Sequence, residues 1–379
     1  MNARTRPRSR THSRVPAYIM AVALAAPTVP VAAAAQASLE RRATAAGDAP
    51  VQFHFASRDG VCGDGKSYVR TEDDGWYGTF SGDGYRMQSC ERGPVRVVVV
   101  HAGRDLVKVE TYAGPLAADP GAATELGAVS TREAVSYLLA LAATADGKPA
   151  RDALLPAMLA DSSTVTPTLL QIARDQARGR DLRKSAITWL SRRRAEPGGA
   201  GATAIARALD QIVRDRAENE SVRQQAMSTI ARFDRGEGIP TLIGFAGDAD
   251  RWITRQAFNA LARSGDPRAR QFMREAVKRV DLEEDVRIEA IRGIGGEYST
   301  GADLKLLREL YPSLNTDRER DALISAVATA GGSENANWLL AIAKSPTEPV
   351  ARRRRAVSLL TKFDDPRVKE ALKGIIERE

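Results

Sequence analysis

From residue 181 onward the apolar positions repeat. The runs Leu182-Arg183-Lys184-Ser185-Ala186, Val222-Arg223-Gln224-Gln225-Ala226, Ile253-Thr254-Arg255-Gln256-Ala257 and Val286-Arg287-Ile288-Glu289-Ala290 each open on an apolar residue and reach alanine four positions later. Apolar or small residues follow seven and eight after the start, as Trp189/Leu190, Thr229/Ile230, Ala260/Leu261 and Gly293/Ile294. That spacing is the stripe of an amphipathic helix. Weaker copies centre on Ala322 and Ala356, with Arg318 and Arg352 in the first slot. After Ala226 the marks advance in steps of 31 to 34 residues, the period of a helical repeat array.

Short breaks separate the helices: Asp234-Arg235-Gly236, Gly247-Asp248, Gly265-Asp266-Pro267, Gly295-Gly296, Gly331-Gly332 and Asp364-Asp365-Pro366. Glycine ends one helix, aspartate caps the next, and proline fits its first turn. A hairpin of two such helices cannot bury its apolar face alone, so stacking supplies the burial. The segment Glu196-Pro197-Gly198-Gly199-Ala200-Gly201 reads as a flexible insertion that lengthens the first step. Further helices are expected at about 150–160, 167–178 and 181–194. Another starts at Ser130-Thr131-Arg132-Glu133, the letters of a capping box, and stops at Asp146-Gly147-Lys148-Pro149.

Upstream the period changes to two. Val51-Gln52-Phe53-His54-Phe55 alternates as a half-buried strand. Short strands are expected at 67–71, 76–80 and 84–89, and residues 94–100 and 106–112 form a β-hairpin. The segment 51–113 is thus a small β domain. Residues 38–50 read as a tail and 114–129 as a linker rich in Gly, Pro and Ala.

At this point the residues carry a resemblance. The runs from Val222 and Val286, each followed by a Gly/Asp break and a second helix, resemble HEAT-like repeats of the short, phycobilin-lyase type. The resemblance covers about 130–379. It implies a mainly α protein, a right-handed HEAT-like α-solenoid behind the small β domain. Proteins with such repeats include scaffolds, adaptors, inhibitors and a few enzymes, so no catalytic residue is carried over.

Charge changes the picture less than it first suggests. The net charge is +8, but Arg4, Arg6, Arg8, Arg10 and Arg14 precede the apolar run from Ala17 to Ala26. Residues 1–37 read as a Sec-type signal peptide with cleavage after Ala35 or Ala37. Pro27 and Pro30 interrupt the run, which is too short for a transmembrane segment. Removing those five charges from +8 leaves about +3. A periplasmic or extracellular protein follows, and Cys62 and Cys90 then read as a disulfide stapling a thin core.

Three motifs bear on chemistry. Gly60-Val61-Cys62-Gly63-Asp64-Gly65-Lys66-Ser67 has the letters of a P-loop, but a strand rather than a helix follows it, so no nucleotide is expected. Asp59, Asp64, Asp73, Asp74 and Asp83 flank glycines without the spacing of a calcium loop, and read as solvated turns. His54 and His101 alone remain after signal removal, which makes a His-based zinc site or a Ser-His-Asp triad hard to build. Neither metal nor other cofactor is expected.

The expected function is therefore a non-enzymatic protein-interaction scaffold or adaptor. Its candidate groove is basic and suits an acidic protein partner: Arg268, Arg270, Arg274 and Lys278 on one second helix, Lys305 and Arg308 on the next, Lys369 and Lys373 on the last. The competing reading of these residues is ordinary solvated surface beside Glu275 and Glu309. Trp189, Trp252 and Trp338 are expected to fill gaps between repeats. Two alternatives stand beside the scaffold: a cell-envelope enzyme or enzyme inhibitor with an active β domain, and a polyanion binder. The modest mature charge, with no aromatics interleaved, disfavours nucleic acid.

Overall fold

The structure is a computed structural model that describes residues 38–72, 75–78, 90–116, 122–161, 164–191 and 201–376. The expected signal peptide, the strand at 84–89 and most of the insertion at 196–201 lie outside them. Among the described residues no helix is long and apolar enough to cross a membrane.

A four-stranded sheet forms around β1 (Val51–Phe55), with β5 (Val95–Ala102), β6 (Asp105–Ala113) and β7 (Thr124–Ala128) in the order β6-β5-β1-β7. Alternation sets its buried face: Val51, Phe53, Phe55, Val95, Val97 and Val99 are out of water. The β5–β6 hairpin matches the expectation, turning at Gly103 with φ +61. A second sheet runs β2 (Val61–Gly63), β3 (Tyr68–Thr71) and β4 (Gly75–Gly78), with Cys62 bonded to Cys90. The two sheets meet backbone to backbone. A Cβ at Gly63 would lie 2.3 Å from the carbonyl oxygen of Ala113, so a side chain there would push them apart.

Two expectations at the domain edges need correction. The tail contains α1 (Leu39–Ala45), whose Leu39 is fully buried. The linker contains β7, which pairs in parallel with β1. The capping box at α2 (Thr131–Thr144) is half made: Ser130 accepts from the Glu133 amide, but the Glu133 carboxylate accepts from the Leu39 amide instead of closing the box. The helix expected at 150–160 splits into α3 (Gly147–Asp152) and α4 (Leu154–Leu159), because Pro156 has no N–H for the carbonyl four residues back.

From α2 on, helices stack in two layers. The odd layer holds α5 (Thr166–Arg174), α7 (Ala202–Arg214), α9 (Ile239–Phe245), α11 (Pro267–Lys278), α13 (Gly301–Leu310), α15 (Ser333–Lys344) and α17 (Pro366–Ile376). The even layer holds α6 (Arg180–Ser191), α8 (Glu220–Ala231), α10 (Arg251–Arg263), α12 (Glu284–Ile294), α14 (Asp317–Ala330) and α16 (Val350–Leu360). The fold is a HEAT-like helical repeat stack behind a small sheet region. Its phase differs from the sequence reading by one helix. From α5 to α15, each odd helix packs most closely on the even helix that follows it, so a hairpin is α7–α8 or α15–α16 rather than α8–α9. Tight turns join these pairs: the Asp175 carboxylate accepts from the Ala177 amide at 3.0 Å and Asp215 from Ala217 at 2.9 Å.

Candidate interaction site

Side chains at one recurring position build the repeat interior. Arg183, Arg223 and Arg287 follow the first apolar residue of α6, α8 and α12, and all three are buried. Each donates Nε–H to a carbonyl ten residues back, at Ala173 (3.1 Å), Val213 (2.7 Å) and Val277 (3.2 Å). Those oxygens belong to the last turn of the preceding odd helix, where carbonyls lack helical partners and the dipole favours a cation. The guanidinium then reaches the next repeat: Arg183 forms a fork on Glu218, and Arg287 pairs with Glu319 at 3.4 Å. Arg223 instead covers the Trp252 ring at 3.9 Å from its centroid, while the Trp252 indole N–H donates to Glu220 at 2.8 Å. Trp338 meets Tyr311 edge-on at 5.2 Å and Trp189 is buried, so all three tryptophans sit within the helical stack.

The eight residues of the expected basic groove lie on the odd layer: on α11, α13 and α17. Every one has an internal partner. Arg268 pairs with Asp266 and donates to the carbonyls of Arg235 and Gly236. Arg270 and Arg274 converge from α11 on Asp303 of α13, at 3.1 and 2.6 Å. Burial pushes the Asp303 carboxyl up, but hydrogen bonds from Arg274 and Thr300 outweigh it and hold it below the usual carboxylate value. Lys278 pairs with Glu275, Lys305 with Glu309, Arg308 with Glu334 and Asn335, Lys369 with Asp364, and Lys373 with Glu370. These cations are committed to repeat ends and repeat junctions, and they do not form an unpaired basic set. Nor is the odd layer the closely packed one. From α6 to α14, neighbouring even helices touch more extensively than neighbouring odd helices.

A groove opens on the even layer instead, across α12, α14 and α16, with a volume of about 490 Å³. Its floor is small and apolar: Gly295, Gly296, Ala322, Ala326 and Ile288. Polar groups rim it. Arg355 donates to the Ser325 hydroxyl at 3.0 Å, and the Thr329 hydroxyl donates to the Ser325 carbonyl at 2.9 Å. Arg292 and Arg318 complete the lining with Asp321. Gly295 is needed for this shape, because a Cβ there would lie 2.7 Å from Cβ of Ala326. Further along the same layer, the Gln224 amide donates to Gln256 at 3.2 Å across a repeat junction.

The β region offers less. The amides of Lys66 and Ser67, which a phosphate would need, donate to the Asp64 carboxylate at 2.9 and 2.8 Å. Asp64 thus occupies the turn's own anion cradle, held below its ordinary value by these bonds against the opposing effect of burial. Strand β3 follows, not a helix. His54 stands 3.9 Å from Glu125, and His101 at the hairpin end is pushed down by burial. Among the described residues no group of His, Cys, Asp and Glu is arranged to hold a metal ion; Asp73, Asp74 and Asp83 lie outside them.

Residues 205–295, spanning α7 to α12, match the HEAT repeats family. No curated protein matches the chain. Among solved structures, a designed armadillo repeat protein is similar at 17% identity over 52% of this chain and 100% of its own, with a TM-score of 0.27. The complex of CpcE and CpcF of phycocyanin lyase from Nostoc is similar at 14% identity over 56% of this chain and 95% of that one, with a TM-score of 0.25. Residues 205–295 thus carry HEAT repeats, within a helical stack that continues on both sides of them.

Proposed function

We propose that the protein is an exported, non-enzymatic scaffold that holds a partner protein on its even-helix layer. The groove across α12, α14 and α16 carries this reading: it is the place where the even layer opens over small, largely buried residues beneath a polar rim. A stacked array gives a broad and shallow surface, which suits recognition better than water-excluded chemistry. Export rests on the basic-apolar-small order of residues 1–37, and the Cys62–Cys90 disulfide favours an oxidising compartment.

Photo-crosslinking residues placed one at a time test the surface. Asn259 and Ser358 sample the even layer; Gln271 and Lys305 sample the odd layer. In a native extract, partner cross-links are expected from the first pair. Cross-links confined to the second pair would move the interface to the other layer. N-terminal sequencing of the mature protein is expected to start at Gln36 or Ser38, and a chain that still starts at Met1 would remove the export reading.

A further inference from the structure

We propose that the groove across α12, α14 and α16 docks an acidic segment of a partner polypeptide, a specificity that rests on the scaffold reading. Three guanidinium groups line it (Arg292, Arg318 and Arg355) against a single carboxylate, Asp321. Two of them are fixed from outside the groove. Arg292 pairs with Glu289 at 3.1 Å, and Arg318 with Glu284 and with Asp285 at 2.8 Å. Those acids hold the side chains in place, and each guanidinium keeps unused N–H donors, because a guanidinium has five. Arg355 is different. It is exposed, its hydrogen bond goes to the neutral Ser325 hydroxyl, and among the described residues no carboxylate pairs with it. The contrast within one run is sharp. Arg352 is buried among Asp317, Asp321 and Glu348, whereas Arg355, one turn later, has kept its charge for something outside the repeat.

The lining also selects among anions. Asp321 would repel a dense polyanion, whereas a peptide brings backbone N–H groups that can donate to it while its own carboxylates meet the arginines. Gly295, Gly296, Ala322 and Ala326 leave room for main chain to come close. Among the described residues no aromatic side chain lines the groove to stack a base.

The test is an anisotropy titration of the full chain with labelled peptides of equal length, built from alternating Glu-Ser, Gln-Ser or Lys-Ser. The Glu-Ser peptide is expected to bind, with affinity falling as salt rises. Arg355→Glu should weaken it on the order of tenfold, and Arg355→Gln by less. Lys373→Glu, on the odd layer, should leave it unchanged. Arg355 is exposed, so its variants are expected to keep the wild-type circular dichroism and melting point. Equal binding of the three peptides, or undiminished binding by Arg355→Glu, would overturn the assignment. So would inorganic polyphosphate that binds more tightly than the Glu-Ser peptide and is lost in Arg355→Glu. Even-layer cross-links without acidic-peptide binding would sink this specificity and leave the scaffold standing.

Discussion

Arg183 and Glu218 face each other with side chains only 5% and 3% exposed, and the same guanidinium closes the end of α5 through the Ala173 carbonyl. Removing one partner of such a pair strands a buried charge. Arg183→Met is expected to cost about 3–5 kcal/mol in urea unfolding, and Arg183→Met with Glu218→Leu to recover most of it. If the double variant is no more stable than the single one, the carbonyl bond rather than the ion pair is the main contribution. Asp303 adds a pH dependence. Its folded pKa lies below its unfolded value of about 3.8, so its contribution is complete above that pH and fades as pH falls towards the folded value. Asp303→Asn should lower stability at neutral pH by about 2–3 kcal/mol and flatten the loss below about pH 4. An unchanged acid limb would assign the acid sensitivity to other carboxylates. Arg183, Arg223 and Arg287 were all visible in the aligned runs, in the slot after the first apolar residue. A helical-stripe reading sends charged side chains to solvent, so it passes over them. Their burial depends on Glu218, Trp252 and Glu319, each roughly one repeat away in sequence.

At the level of elements, the helices and their breaks were legible because several carry their own caps: Asp250, Asp266 and Thr300 all accept the amide bonds that start a helix. The small elements were not. Helix α1 has seven residues and β7 reads Thr-Glu-Leu-Gly-Ala, with too little periodicity to mark either. Both exist through tertiary bonds: Arg42 donates to the Leu126 carbonyl at 2.9 Å, and the Thr124 amide to the Pro50 carbonyl at 2.7 Å. The internal pairing of the expected basic set escaped the sequence for a related reason. Basic residues could be assigned to helices from sequence, but their carboxylate partners in the neighbouring repeat could not. The disulfide is the element-scale prediction. It closes a separation of 28 residues, worth about 3 kcal/mol in the chain-entropy model. Cys62→Ser with Cys90→Ser should increase proteolysis of 60–116 first, leaving a protected helical fragment. Simultaneous loss of helical protection would tie the staple to the whole chain.

Taken whole, the sheet and the helices are not two bodies joined by a linker. Residues 38–379 make one compact unit. Phe53 of β1 packs edge-on against Tyr137 of α2 at 6.0 Å, and burial there pushes the Tyr137 hydroxyl up to about 12. The Arg58 amide donates to the Leu159 carbonyl at 2.8 Å, and Ser57 bridges Ala160. The sheet therefore covers the open end of the helical stack, the task that an atypical terminal repeat performs in other arrays. Without that cover, buried side chains such as Tyr137 of α2 would lose part of their burial. Exposing even a few such side chains costs about 1.5–3 kcal/mol each. A fragment of residues 130–379 should therefore melt well below the full chain and bind a hydrophobic dye. Hydrogen exchange on the intact protein should show β1, β5 and α2 opening together. If the fragment instead melts like the parent, the sheet is an attachment and α2 to α4 close the stack unaided.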